Sequence, residues 1–188
     1  MIGKEKAKPI LLKYYNEDSD LFRLLWKHSR QVASLALSIA EKMVAEGGKV
    51  DMEFVGEAAL LHDIGIFRTH APKIFCIGSE PYIRHGVIGS ELLTAEGMPR
   101  HALVCERHTG VGLSLAEIVR DNLPLPHRDM VPVSVEEKLI CYADKFYSKS
   151  SPDKVKTRDG IRKGMQKFGA EQLARFDEMD RMFGRFVV

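Results

Sequence analysis

The sequence has little net charge: 28 Lys and Arg stand against 26 Asp and Glu over 188 residues, leaving a formal charge of +2. Without a basic excess there is no bulk field to hold a polyanion, so nucleic acid is not the expected partner. Cysteine is scarce as well. Cys76, Cys105 and Cys141 are far apart, form no CxxC pair and are odd in number, which excludes a disulfide framework and a zinc knuckle and makes a reducing cytoplasm the expected location. Long hydrophobic runs are missing. The opening MIGKEKAKPILLKYY is broken by Lys13 and is too short for a signal-peptide core or a membrane span, so no membrane association is expected. There is also no low-complexity segment, no internal repeat and no strand-like alternation, which argues against a β fold. What is present is an ordinary globular composition, 45% apolar, in a length that suits one domain with a core of its own.

Helical periodicity fills most of the chain. Ser19 or Asp20 is placed to cap a helix that Gly47 and Gly48 end near Ala45, with Leu21, Leu25, Val32, Leu35 and Ile39 forming its apolar stripe. Asp51 caps a second helix from Met52 to about Asp63, ended by Gly65. Residues 64–83 carry two Pro and two Gly without a clean period, a length of loop that is often functional. A third helix is expected from about Arg84 to Glu96, and a fourth opens at Pro99 and carries His101 to His108. Residues 110–133 read as mixed, with a helical piece at 114–122 before a Pro-rich loop. Ser134 to Glu137 has the pattern of a capping box and opens a helix through Cys141, Asp144 and Tyr147. Residues 159–183 read as one or two further amphipathic helices. The expected architecture is all-α: an N-terminal extension at 1–18, a compact helical bundle at 19–150, and a C-terminal helical extension at 151–188 packed on the same domain.

The chemistry concentrates in Leu60-Leu61-His62-Asp63-Ile64-Gly65. Burying an ionised carboxylate beside an imidazole at the end of an apolar helix is costly unless a cation or hydrogen bonds compensate it. Asp63 has a further use, since its two oxygens can bridge cations roughly 3.5–4 Å apart. Other residues fit the same interior. His28 interrupts the apolar stripe of the first long helix. His85 opens the third helix, His108 ends the fourth, and Asp144 lies on an inward stripe with Ile140 and Tyr147. One such His is ordinarily a hydrogen-bonded core residue, and one such Asp an ion-pair partner. Six residues consistent with a single interior form an imidazole and carboxylate set suited to Fe, Mn, Zn, Co or Ni rather than Ca. His70 lies in the 64–83 loop, exposed or against substrate; His101 and His127 are expected at the surface.

The order His28, His62-Asp63, Asp144 resembles the HD-domain superfamily of metal-dependent phosphohydrolases, with His62-Asp63-Ile64-Gly65 matching the variant spelled H-D-I-G. His85 in RHGVIGSELL and His108 in ERHTG resemble the additional pair of binuclear members. The resemblance spans about residues 20–150. It implies a helical HD bundle in which His28, His62, Asp63 and Asp144 hold one metal, and Asp63, His85 and His108 hold a second. One or two divalent transition metal ions are implied, Fe or Mn first, then Zn, Co, Ni or Mg. Ile66 stands where cyclic-dinucleotide phosphodiesterases of the superfamily carry Lys, and their Gly-Tyr-Pro motif is missing, so that activity is not expected. The pattern looks closest to small hydrolases of nucleotides, the symmetrical dinucleoside tetraphosphate hydrolases among them.

The function implied is hydrolysis of a phosphate ester or anhydride of a nucleotide or dinucleotide by a metal-activated water. Asp63 would bridge, and Lys145 and Arg68 would clamp phosphate. Two other readings remain at this level: a nucleotide sensor that binds without turnover, and a nuclease using the run Lys145, Lys149, Lys154, Lys156 and Arg158, which is ordinarily just a solvated surface. A small phosphorylated substrate is the expected partner, and a homodimer is compatible with the sequence.

Overall fold

In the computed structural model, which describes residues 2–187, helices are laid down in the order α1 Lys4–Leu12, α2 Asp20–Ala45, α3 Met52–Leu61, α4 His85–Ala95, α5 Pro99–Arg107, α6 Leu115–Arg120, α7 Val135–Asp144, α8 Arg158–Gln166 and α9 Ala170–Phe183. The longest, α2, starts where its sequence demands. The Ser19 side chain accepts the Phe22 N–H at 3.1 Å, satisfying one of the orphan donors of the first turn. Its apolar stripe is then buried against α3 and α7, with Leu25, Val32 and Ile39 fully enclosed. Each such side chain contributes about 1.5–3 kcal/mol on leaving water. Asp51 caps α3 in the same way, through the Phe54 N–H.

Helix α4 packs on α5 and on the 3-10 segment Ile64–Arg68 that follows His62 and Asp63. Two glycines make that packing possible. A Cβ at Gly65 would collide with the His85 carbonyl and the Gly89 N–H, and one at Gly86 would sit 2.5 Å from the Cys105 carbonyl. The glycines of the HDIG string and of Arg84-His85-Gly86 are therefore places where backbones touch, and they draw His85 and His108 toward Asp63.

Three elements depart from the sequence reading. Residues 4–12 are helical despite Pro9. Buried Ala7 and Leu11 fix α1 against α3, and Lys6 is paired with the buried Glu57 at 2.8 Å. The 64–83 segment contains a two-residue antiparallel pair, β1 His70–Ala71 with β2 Cys76–Ile77, closed by Phe75 in the left-handed region at φ 63°. Strands this short carry no legible alternation. The full capping box lies at Ser114–Glu117 on α6; at Ser134 only the serine half forms, because Glu137 accepts from the Val133 N–H instead.

The tail is tied into the same core. Phe176 and Phe183 of α9 pack on Tyr142 of α7, whose hydroxyl donates to Asp180 at 2.7 Å. His101 is not the free surface group expected. Its Nε2 lies 3.0 Å from Glu57 and its ring meets Phe54 edge-on, whereas His70 and His127 are exposed.

Candidate metal centre

Five of the six imidazole and carboxylate residues sit at helix ends, and the sixth, His28, faces inward from the middle of α2 between Leu25 and Val32. His62 follows the last residue of α3, His85 is the first of α4, His108 follows the last of α5, and Asp144 ends α7. Three of the rings are oriented by one device. The Nδ1–H groups of His62, His85 and His108 donate to the carbonyls of Ala59, Tyr82 and Cys105, three residues earlier, each at 2.7 Å. Donation from Nδ1 leaves Nε2 as the lone-pair nitrogen and aims it inward, as in metal-ligating histidines.

Asp63 is the hinge of the arrangement. Its Oδ2 lies 2.9 Å from His62 Nε2 and 3.2 Å from His28 Nε2. Its Oδ1 faces the other pair, 3.5 Å from His85 Nε2 and 3.4 Å from His108 Nε2. Asp144 Oδ1 completes the first group, 3.0 Å from His28 and 3.6 Å from His62. Two donor sets result, His28, His62, Asp63 and Asp144 on one side and Asp63, His85 and His108 on the other, with the ligand atoms of each within 4.8 Å of one another.

These contacts are close without being hydrogen bonds. His28 Nε2, His62 Nε2 and Asp63 Oδ1 are buried and have no hydrogen-bond partner. In the second set the two Nε2 atoms of His85 and His108 face each other at 3.0 Å, although each ring already donates from Nδ1. Buried polar atoms left unpaired are expensive, and convergent lone pairs repel unless a cation stands between them. The donor set and its geometry therefore fit a divalent metal, with nitrogen and carboxylate ligands of the kind that Fe, Mn and Zn take.

The electrostatics of the protein alone point the same way. Burial would lower the basicity of His62, but Asp63 and Asp144 outweigh it and raise its pKa to about 9. Burial together with neighbouring His108 pushes His85 down to about 3. Asp63, despite complete burial, is held well below the usual carboxylate range by the His62 and Lys149 cations; Asp144 is held down chiefly by Lys145 and His28.

The structure brings Lys145 into the centre, where its Nζ lies 2.7 Å from Asp144 and donates to the His108 carbonyl at 3.1 Å. Lys149, read from sequence as part of a surface run, is the residue that reading missed. Its Nζ lies 2.5 Å from Asp63 Oδ2, inside the first donor set. Only its position in the turn just after α7 could have flagged it. Arg68 is not brought in. It is exposed, stands over the Phe67 ring, and lines neither of the cavities at the centre.

Those cavities meet at Tyr82, Asp144 and Lys149. One, of about 310 Å³, is edged by Lys73, Ser148 and Ser150; the other, of about 540 Å³, has His85 and His108 in its wall and is otherwise largely apolar.

Residues 25–148 match the HD domain family. The chain is 33% identical over 166 residues to an uncharacterized protein of Methanocaldococcus jannaschii, covering 88% of this chain and 86% of that one. It is 32% identical over 168 residues to a tRNA (cytidine(56)-2'-O)-methyltransferase of Thermoplasma volcanium, and 31% identical over 140 residues to the protein of that name from Picrophilus torridus. The matches cover 88% and 74% of this chain but only 43% and 35% of those two relatives. No solved structure matches the chain.

Proposed function

The chain belongs to the HD domain family, and from that premise we propose that it is a metal-dependent phosphohydrolase acting on a phosphate ester or anhydride of a nucleotide. The observation that carries this reading is the split of Asp63, one oxygen turned to His28 and His62 and the other to His85 and His108. A carboxylate so placed suits two cations, Fe or Mn in our reading. Bound there, such a pair supplies Lewis acidity, which lowers the pKa of water at neutral pH and neutralises charge on phosphoryl oxygens.

The protein's own residues do the rest. His28, His62 and Asp144 complete the first set; His28 and His62 are buried away from the cavities, and Asp144 borders both. His85 and His108 supply only two further donors beside Asp63, leaving positions open toward the larger cavity. Lys145 and Lys149 bring two ammonium groups to its inner end, where they can hold the non-bridging oxygens of a phosphate and keep the phosphorus oriented. Lys145 is anchored on Asp144 Oδ2 and on the His108 carbonyl, so its charge is positioned in advance of substrate.

The test is hydrolysis by Mn-loaded protein across nucleoside monophosphates, dinucleoside polyphosphates and cyclic phosphates. Turnover that disappears in Asp63→Asn supports the reading. Tight nucleotide binding without turnover at saturating Mn would replace it with the sensor. The two relatives named as tRNA methyltransferases favour a second reading, in which the phosphate is carried on RNA. Steep salt dependence of RNA binding would mark that case.

A further inference from the structure

The larger cavity is built by two parts of the chain. Its inner end is the candidate metal centre, where His85, His108 and Asp144 are buried and the Lys145 and Lys149 side chains are mostly covered. Its walls are mainly Ile83, Leu113 and Leu123, with Thr109 and with Asp121, whose carboxylate is held by Arg120. At its edge stands Phe168, which lies beyond the 25–148 segment, in the turn between α8 and α9. Phe168 is 67% exposed, although its neighbour Gln172 on the same wall is buried. A large aromatic left in water at the edge of an apolar cavity lacks a packing partner within the fold. The turn also holds it there: the Phe168 N–H donates to the Met165 carbonyl at 2.9 Å, and Gly169 follows with φ +110°.

The two buried polar side chains beside Phe168, Gln172 and Glu117, are already committed. The Gln172 amide donates to the Gly112 carbonyl and Glu117 and accepts the Val111 N–H, and the Glu117 carboxylate is held by Arg175 and Ser114. They offer a ligand shape and apolar surface rather than a hydrogen-bonding code. A volume of about 540 Å³ is in the ordinary range for small-ligand sites.

We propose that Phe168 is a specificity-determining residue: it stacks on the base of a nucleotide whose phosphate lies at Lys145, Lys149 and the metal centre, and it accepts purines and pyrimidines alike. This rests on the hydrolase reading for the phosphate end, while the base end can be tested without turnover. The bases have a π face in common, so an aromatic platform whose neighbouring Gln172 and Glu117 are already paired selects for a base without choosing among them.

The experiment titrates Mn-loaded protein with adenosine, which has a base and sugar but no phosphate to cleave, and separately with inorganic phosphate. Phe168→Ala is expected to weaken adenosine roughly tenfold while phosphate binding changes less than about twofold. Phe168→Trp should restore adenosine binding, and cytidine should bind within about tenfold of adenosine. Equal adenosine affinity in wild type and Phe168→Ala overturns the proposal, as does equal loss in the Ala and Trp variants, or failure of adenosine to bind at all. Those failures are separable from failure of the hydrolase reading, which is the absence of turnover in wild type on the nucleotide panel whatever adenosine does.

Discussion

The two donor sets around Asp63 are built alike but enclosed differently. On the first side His28, His62 and Asp63 are at most 1% exposed, and Asp144 brings a second carboxylate. On the second side Asp63 has only two imidazoles for company, and both line the larger cavity. The first side has four donors, of which only Asp144 borders the cavities, and suits a metal that stays; the second has three, of which both imidazoles border the larger cavity, and suits one that meets substrate. The lysines mark the same contrast. Lys149 reaches into the first side at Asp63 Oδ2, so in the metal-free protein its ammonium supplies positive charge where the first metal would. The second side has a neutral imidazole pair instead, with His85 pushed down to about 3.

The strongest way to break the comparison is to remove what both sides share. Asp63→Asn is expected to lose both ions and to lower hydrolysis by about a thousandfold or more, read by elemental analysis and by turnover in Mn. Next come substitutions that should separate the sides. His85→Ala should keep one ion and lose the other, with activity down about a hundredfold, whereas His28→Ala should weaken the more tightly held ion, the one that resists chelator longest in wild type. Equal metal loss in both variants would erase the distinction. A smaller effect is expected from Lys149→Met, which removes the cation competing for Asp63. Metal affinity should rise while KM for the phosphate substrate increases about tenfold, measured by Mn titration and steady-state kinetics.

The smallest effect lies away from the metals, on the cavity wall. Glu117 is held down to about 2 because the Ser114 N–H, Gln172 and Arg175 outweigh the effect of its burial. A carboxyl depressed in the folded state stabilises the protein above its unfolded value, about 4.3, and loses that contribution as pH falls through about 2. Glu117→Gln should therefore cost about 2 kcal/mol in denaturant melts at pH 7. The difference from wild type should shrink steadily between pH 4 and 2.

Much of this cluster is legible in the sequence because its residues interrupt regular patterns. His28 breaks an apolar stripe, His62 and Asp63 end an apolar helix, and Asp144 lies inward on the helix that ends with it, so helical periodicity alone puts them in one interior. The glycines at 65 and 86 were visible as letters, but their reason, contact between backbones distant in sequence, is tertiary. Lys149 and Phe168 were not legible, because each lies in a turn where no period tells inside from outside. Arg68 was drawn in by its nearness to the His-Asp pair; the 3-10 turn carries it outward while Ile66 takes the buried place. Helix α1 was hidden by Pro9, whose effect is offset by packing on α3.

The central claim is that Asp63 joins two cations, one held by four donors and the other by three. Electron paramagnetic resonance of Mn-loaded protein tests it directly. The account predicts a spin-coupled pair at roughly 3.5–4 Å in wild type, reduced to an isolated-ion spectrum in His85→Ala. An isolated-ion spectrum in wild type at saturating Mn would contradict it.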